Sequence, residues 1–347
     1  MLSEFKPDIG LTHFVVSASM RPDFIAMQLE SFKKYSLGRF ELIVLNNAQN
    51  AKRAKLIRSE CERVGASHLR VDFKDREMRK SHFARVFRFG QYMNPSLACS
   101  YAFHWFTKKH LSQLSGGTVV YIDSDMFLIK PVNFSQLTSI NSLYYVPQYR
   151  GTTSLDEYEV LYPWSGLMIA STMDKRIELS RLEWSPKPIK GYATDIGGAA
   201  MSWLETSIEE ADTSELLFLS LLKYKKDNSH QEVELSLNGN WNAKVKVSLD
   251  GGNGCFSSHD ELSLASRILR VESSEVERVV VERLRGIMSI VHPNSWPDPI
   301  HLDLLSAPEI KLDNFIFHYK SGSNYQPWVT DEYNSIKTEA YRRLIDS

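Results

Sequence analysis

Two aspartates one residue apart follow an apolar run near the middle of the 347-residue chain. Asp123 and Asp125 come directly after residues 119–122, Val-Val-Tyr-Ile. In extended backbone, side chains two residues apart share a face, so both carboxylates can converge on one point. Paired carboxylates repel each other unless a cation lies beside them, and Mg²⁺ and Mn²⁺ take oxygen ligands. The motif therefore predicts a divalent metal site that can hold a diphosphate; two aspartates that only cap a turn are the alternative.

A histidine late in the chain is a further candidate ligand. His318 ends a short apolar run and precedes a polar loop that contains glycine. Its imidazole offers a nitrogen ligand, which Mn²⁺ accepts more readily than Mg²⁺ does. Lys320 offers a point charge for phosphate, and Gly322, Ser323 and Asn324 offer hydrogen-bond donors to its oxygens. Each residue alone also fits a strand end or a turn, so the prediction depends on their combination with the acidic pair.

The elements that must position these groups alternate between strands and helices. Short apolar runs typical of strands and segments with helical spacing follow one another in the first half of the chain. The predicted strands are 12–18, 40–45, 118–123, 143–146 and 166–170, and the predicted helices are 24–32, 51–64 and 96–114. This alternation predicts an α/β fold with a mostly parallel sheet flanked by helices. Open sheets of this kind bind ligands at the carboxyl ends of their strands.

The pattern changes after about residue 205. Residues 214–223 and 275–288 have helical spacing, 314–317 form a late strand, and 332–345 form a terminal amphipathic helix. Asn-Gly and Gly-Gly pairs within residues 233–256 predict hairpins and loops. We therefore expect an irregular region at about 205–299 on the acceptor side of the molecule.

Four motifs follow one another along the chain. They are Asp123-Ser124-Asp125 after a strand, Trp164-Ser165-Gly166 before one, Asp195-Ile196-Gly197-Gly198 before a helix, and His318 with Gly322 and Pro327-Trp328. In these motifs the chain resembles the GT-A fold nucleotide-sugar glycosyltransferases, and within them the glycogenin-like and lipopolysaccharide-type branch. The resemblance covers roughly residues 10–330. It implies one GT-A catalytic domain over 1–347, with a nucleotide-binding half at 10–135, an acceptor half at 136–330 and a terminal helix at 331–347.

The resemblance also implies roles for individual residues. Asp125 binds the metal directly, and Asp123 contacts the metal and the donor ribose. Asp195 lies beside the transferred sugar or the acceptor, and Lys320 helps to stabilise the leaving diphosphate. The end of the first strand holds the nucleotide base and ribose, at Val16, Ser17, Ala18 and Arg21. Arg21 is also suited to pairing with phosphate, and a surface ion pair is its alternative role.

The activity implied by the resemblance is hexosyl transfer with Mn²⁺ or Mg²⁺. The donor is a nucleotide-diphosphate sugar, a UDP-sugar, and the acceptor is a glycan or another hydroxyl compound. The lysine expected before the late proline is Gln326 here, and Asp195 is the last acid of an otherwise altered triplet, so inversion and retention both stay open. A phosphohydrolase of the haloacid-dehalogenase type and a non-catalytic nucleotide-sugar binding protein are the other candidates.

Composition narrows the range of partners and compartments. The 41 Lys and Arg residues nearly cancel the 42 Asp and Glu residues, so no net field favours nucleic acid as a partner. The three cysteines are odd in number and widely separated, which favours a reducing compartment. The sequence has neither a signal-peptide pattern in its first ten residues nor a run of about 20 apolar residues. We therefore expect a cytoplasmic protein without an integral membrane segment; its oligomeric state is left open.

Overall fold

The computed structural model describes the chain in separate ranges. They are residues 10–75, 95–114, 116–150, 160–192, 194, 196–208, 213–226, 231–237, 240–250, 253–269, 271–291, 309–311 and 315–318. The chain forms two compact units. The first unit comprises Met1–Ser124, Pro131–Val146 and Tyr162–Glu215, and the second comprises Asp125–Lys130, Pro147–Leu161 and Leu216–Ser347. None of the helices in these ranges has the length and hydropathy of a membrane span.

The first half of the chain has the predicted alternation of strands and helices. Its elements, of which β5 belongs to the second unit, are β1 (Leu11–Ala18), α1 (Asp23–Tyr35), β2 (Arg39–Asn46), α2 (Ala51–Val64), β3 (Ser67–Arg70), α3 (Pro95–Lys109), β4 (Thr118–Ile122), β5 (Met126–Leu128), α4 (Phe134–Ile140), β6 (Leu143–Arg150), β7 (Val160–Ser171), α5 (Ala200–Ile208) and β8 (Thr213–Glu215). Most lie within a few residues of their predicted bounds. Strand β7 begins earlier than expected, and α3 ends at Lys109, before a short 3₁₀ turn at Leu111–Gln113.

Helix α2 shows how local sequence sets an element's ends. The side chain of Asn50 accepts hydrogen bonds from the backbone N–H groups of Lys52 and Arg53, at 2.9 and 3.2 Å. These bonds satisfy donors that the first helical turn leaves without intrahelical partners. Gly65 ends the helix in the left-handed region, with φ of 79°, and its N–H donates to the carbonyl of Cys61. Glycine adopts this conformation without the steric cost of a side chain.

The sheet of the first unit has the strand order β3-β2-β1-β4-β7-β6-β8. The pairs β1–β2, β2–β3, β1–β4 and β6–β8 are parallel, whereas β7 is antiparallel to β4. The chain moves outward from β1 to β3 and then returns to place β4 on the other side of β1. This reversal makes a topological switch point between the carboxyl ends of β1 and β4, where open α/β sheets bind ligands. The predicted mixed α/β fold with a mostly parallel sheet is confirmed.

The second unit is built on an antiparallel sheet. Its further elements are β9 (Phe218–Lys226), β10 (Gln231–Leu237), β11 (Asn240–Asp250), β12 (Asn253–Phe256), α6 (His259–Leu269), α7 (Ser273–Val291), β13 (Glu309–Lys311) and β14 (Ile316–His318). The strand order is β12-β11-β10-β9-β13-β14-β5. Each strand is antiparallel to its neighbours.

The helix predicted over residues 214–223 is wrong. Strands β8 and β9 occupy this segment, and β9 pairs with β10 on one side and β13 on the other. Periodicity alone does not distinguish a short apolar strand from a segment of a buried helix. The region predicted to be irregular contains, where it is described, the end of α5, strands β8 and β9, the expected hairpins β10–β11 and β11–β12, and two helices. The helix predicted over 332–345 lies outside the described residues.

Buried His104 makes the stability of the fold depend on pH. Burial of this residue of α3 lowers its pKa to about 4, and the charge of Lys108 lowers it further. In the unfolded chain a histidine has a pKa of about 6.5, so between these two values the unfolded state binds more protons. The stability is intact above pH 6.5 and falls as the pH is lowered through this window. At pH 5 the free energy of unfolding is expected to be about 2 kcal/mol lower than at neutral pH because of this group.

Urea unfolding at pH 7.5 and 5.0 measures this loss. The His104→Gln variant has no titrating group at this position. Between pH 7.5 and 5.0 its free energy of unfolding should therefore fall by about 2 kcal/mol less than that of the unaltered protein. Glu41 and Asp174 also have lowered pKa values, because His13 bonds to the first and Arg176 to the second. Both carboxyls are present in both proteins, so they do not affect the difference. An identical pH dependence of the two proteins would contradict the prediction.

Candidate functional site

The end of β1 places a buried hydroxyl at the switch point of the first unit. Val16, Ser17 and Ala18 are all buried, and Val16 pairs with Ile122, the last residue of β4. The Ser17 hydroxyl has no hydrogen-bond partner in the described part of the chain. Burying such a group without a partner costs roughly 1–3 kcal/mol, so a ligand that bonds to it is favoured.

Asn47 is a candidate that the sequence patterns did not single out. It follows β2 at the same edge of the sheet as Ser17, and it is buried. Its Oδ1 atom has no hydrogen-bond partner among the residues described. The guanidinium of Arg70 donates to the carbonyls of Asn46 and Ala48, at 2.8 and 2.6 Å, and so fixes the backbone on both sides of Asn47. An asparagine directly after an apolar strand is the signal that could have identified this residue.

Asp123, the first acid of the pair, is held through its backbone. Its N–H donates to the carbonyl of Gly166 in β7, and its carbonyl accepts a hydrogen bond from Nε2 of Gln28 in α1, both at 2.9 Å. Gln28 is fully buried, and its bond to Asp123 is partly buried. The backbone that carries the carboxylate is therefore fixed by β4 and by these two bonds.

In the second unit, pairing of β5 with β14 brings Asp125 and His318 together. His318 is the last residue of β14 and pairs with Met126, the first residue of β5. The residue before Met126 therefore lies beside the imidazole. Nε2 of His318 is 3.4 Å from Oδ1 of Asp125, and the two side chains are 7% and 5% exposed. A buried carboxylate needs a partner of opposite charge or a cation.

The three predicted metal ligands lie close enough together to be a candidate site for one cation. Asp123, Asp125 and His318 each place one ligand atom within 4.8 Å of the others. Ligands about 2.1 Å from one ion lie about 3 Å apart when adjacent and about 4.2 Å apart when opposite. Two carboxylates and one imidazole suit Mn²⁺, which takes both oxygen and nitrogen ligands. These groups could hold a divalent ion and leave coordination positions for phosphate oxygens; without an ion, the same contact is a buried His–Asp pair.

Comparison with known proteins gives low similarity throughout. No family model matches the sequence, and no curated protein matches it significantly. It resembles the solved structures of glucosyl-3-phosphoglycerate synthase from Mycobacterium tuberculosis, mouse xyloside xylosyltransferase 1 and the mannosyltransferase Ktr4p from S. cerevisiae. The sequence identities are 16%, 11% and 10%, and the TM-scores are 0.33, 0.29 and 0.28. The matches cover 62%, 47% and 49% of this chain and 73%, 67% and 58% of those chains. TM-scores this low establish no family for this chain.

Arg21, predicted to contact the donor, is engaged in an ion pair within the chain. Its Nε and Nη2 atoms donate to the two carboxylate oxygens of Asp23, at 2.9 and 2.6 Å. The guanidinium also lies over the ring of Phe24, 4.0 Å from its centre. Arg21 is thus a cation paired at the start of α1, and its contact with the donor stays a prediction. A phosphate would have to compete with Asp23 for it.

The remaining predicted site residues lie outside the described residues. They are Asp195, Lys320, Gly322, Ser323 and Asn324. The neighbours of Asp195 are described: the Thr194 hydroxyl donates to the carbonyl of Lys187, at 2.8 Å, and Ile196 is buried. The roles of these five residues stay predictions.

Proposed function

We propose that this chain is a metal-dependent glycosyltransferase of the GT-A type, which transfers a sugar from a nucleotide-diphosphate donor to a hydroxyl acceptor. The observation that carries the proposal is the approach of Asp123, Asp125 and His318 within 4.8 Å of one another. These groups can hold a divalent cation, and Asp123 directly follows a central strand at the edge where α/β sheets bind ligands.

The donor's diphosphate would bind at this cluster. Mn²⁺ or Mg²⁺ held there would act as a Lewis acid on the nucleoside diphosphate as the sugar–phosphate bond breaks. Asp123 and Asp125 contribute carboxylate oxygens, and His318 contributes a ring nitrogen. In this proposal Lys320 supplies a further positive charge to the leaving group, and the Gly322, Ser323 and Asn324 loop supplies hydrogen-bond donors.

The nucleoside would bind beside it at the ends of β1 and β2. The hydroxyl of Ser17 can donate to a base or ribose oxygen, and Oδ1 of Asn47 can accept from a base N–H. Uracil offers both kinds of group, so the site is compatible with the UDP-sugar that the resemblance implies as donor. Asp195 then acts on the acceptor hydroxyl as a general base if the configuration inverts, or positions sugar and acceptor if it is retained.

Thermal unfolding with nucleotide sugars tests the proposal. With Mn²⁺ and UDP-glucose, UDP-galactose or GDP-mannose at about 100 times its Kd, we expect the Tm to rise by about 5 °C. The bound compound should also be hydrolysed slowly to its nucleoside diphosphate. Chelation of Mn²⁺ with EDTA should abolish both effects, and Mn²⁺ without nucleotide provides the control.

The same experiment separates the competing functions. Release of phosphate from p-nitrophenyl phosphate, with no response to nucleotide sugars, would indicate the phosphohydrolase. A rise in Tm without hydrolysis or transfer would indicate a binding protein. If no nucleotide sugar changes the Tm in the presence of Mn²⁺, the proposed function is wrong.

A further inference from the structure

The side chain of Trp164 lies over Gly166 of its own strand, and Gly166 is hydrogen-bonded to Asp123. Trp164 and Gly166 are two residues apart in β7, so their side-chain positions share one face of the strand. A Cβ atom at Gly166 would overlap the six-membered ring of the Trp164 indole. Only glycine therefore allows the ring to lie over the backbone at this position.

This ring is linked to Asp123 by one hydrogen bond. The carbonyl of Gly166, the residue that the indole approaches, accepts the N–H of Asp123 at 2.9 Å. The residue before Trp164 is also closely packed. Gly197 lies so near the carbonyl of Pro163 that a side chain at position 197 would overlap this carbonyl. Gly197 has φ of 100°, which a side chain also disfavours. Trp164 is therefore carried on rigid backbone beside Asp123.

The exposure of Trp164 differs from that of its neighbours and of other described tryptophans. Pro163 and Ser165 are buried, whereas Trp164 is partly exposed. Trp184 and Trp203 are buried, and their indole N–H groups donate to Thr107 and to the Ile177 carbonyl. Those two side chains have a clear role in the core. Trp164 is partly exposed, unlike these two, and its strand is hydrogen-bonded to one of the predicted metal ligands.

We infer that Trp164 is a positioning residue for the sugar of the donor, on which one face of the pyranose packs. The inference rests on the proposed function. A pyranose carries several C–H groups on one face, and the negative face of an aromatic ring attracts such groups. An indole fixed by Gly166 loses little conformational entropy when the sugar binds. The sugar would thereby be oriented while the nucleotide and its diphosphate are held elsewhere.

Comparing a nucleotide sugar with its nucleoside diphosphate isolates the contribution of the sugar. We would measure Kd values for UDP-glucose and UDP, and for GDP-mannose and GDP, with Mn²⁺, by calorimetry. In Trp164→Ala we expect the Kd of the bound nucleotide sugar to rise about tenfold. The Kd of the nucleoside diphosphate should not change. Trp164→Phe, which keeps an aromatic face, should recover part of the loss.

Phe40→Ala is the matched control. Phe40 is a partly exposed aromatic residue near the start of β2, at the opposite edge of the same sheet. The Phe40→Ala variant should leave all four Kd values unchanged. Equal effects of Trp164→Ala on nucleotide sugar and nucleoside diphosphate, or no effect on either, would overturn the inference and leave the proposed function intact. Failure of the unaltered protein to bind any of the four compounds would overturn both.

Discussion

Asp125→Asn is expected to lower metal-dependent sugar transfer about 10³-fold. Asparagine keeps the volume of the side chain but replaces a carboxylate by a neutral amide, a much weaker ligand for a divalent cation. Asp125 is 3% exposed and lies 3.4 Å from His318, so water cannot readily take its place. The Kd for Mn²⁺, measured by calorimetry or by electron paramagnetic resonance, should rise at least about 100-fold. Donor hydrolysis provides the second readout.

Asp72→Asn is the control for the change in charge. Asp72 is exposed after β3, and its Oδ1 accepts the backbone N–H of Lys74, so this variant should keep its Mn²⁺ affinity and its activity. Unaltered Mn²⁺ binding and transfer in Asp125→Asn would refute both the metal site and the transferase. If the native protein binds no Mn²⁺ and the substitution lowers only its free energy of unfolding, the pair with His318 is purely structural.

Local patterns were enough to predict the strand and the acidic pair. A short apolar run before two polar residues can be recognised without knowledge of its neighbours, and the β-α alternation predicts where its carboxyl end lies. The resulting bounds of β4 differ from the prediction only at the last residue, Asp123. The placement of Ser17 at the same edge followed from the parallel pairing of β1 with β4.

Local sequence patterns could not predict features that depend on the pairing of distant strands. The contact between Asp125 and His318 depends on the register of β14 against β5, which no local pattern encodes. Strand β9 was mistaken for a helix because its two neighbours, β10 and β13, come later in the chain. Asn47 was equally hidden, since it is identified by a missing hydrogen-bond partner. Trp164 lies in one of the four motifs found in the sequence, but the approach of its ring to Gly166 depends on the folded backbone.

Thr107→Val is expected to lower the free energy of unfolding by about 3 kcal/mol. A threonine hydroxyl has one proton to donate and two lone pairs that accept. Thr107 donates to the carbonyl of Phe103 at 2.8 Å, and it is in contact with the hydroxyl of Tyr121 at 2.8 Å and Nε1 of Trp184 at 3.3 Å. Because its only proton is used, both of these groups must donate to it. Burial raises the pKa of Tyr121, so its hydroxyl keeps the proton that it donates.

Valine has the shape of threonine but no hydroxyl, so two fully buried donors would lose their acceptor. Thr206→Val is a matched control: Thr206 makes the same helical bond, to the carbonyl of Ser202 at 3.0 Å, but is exposed. It should cost less than about 0.5 kcal/mol in urea unfolding. Equal losses in the two variants would contradict the prediction.

A double-mutant cycle tests whether the stability lost in Thr107→Val comes from the hydrogen-bond donors that lose their acceptor. Tyr121→Phe removes one of the two groups that Thr107→Val leaves without an acceptor. In that background Thr107→Val should therefore cost about 1 kcal/mol less than it does alone. Tyr121 lies in β4 two residues before Asp123, and its ring packs against Phe103 and Trp184. The network thus supports the strand that carries the first metal ligand, so the unfolding and Mn²⁺ measurements should be made on the same variants.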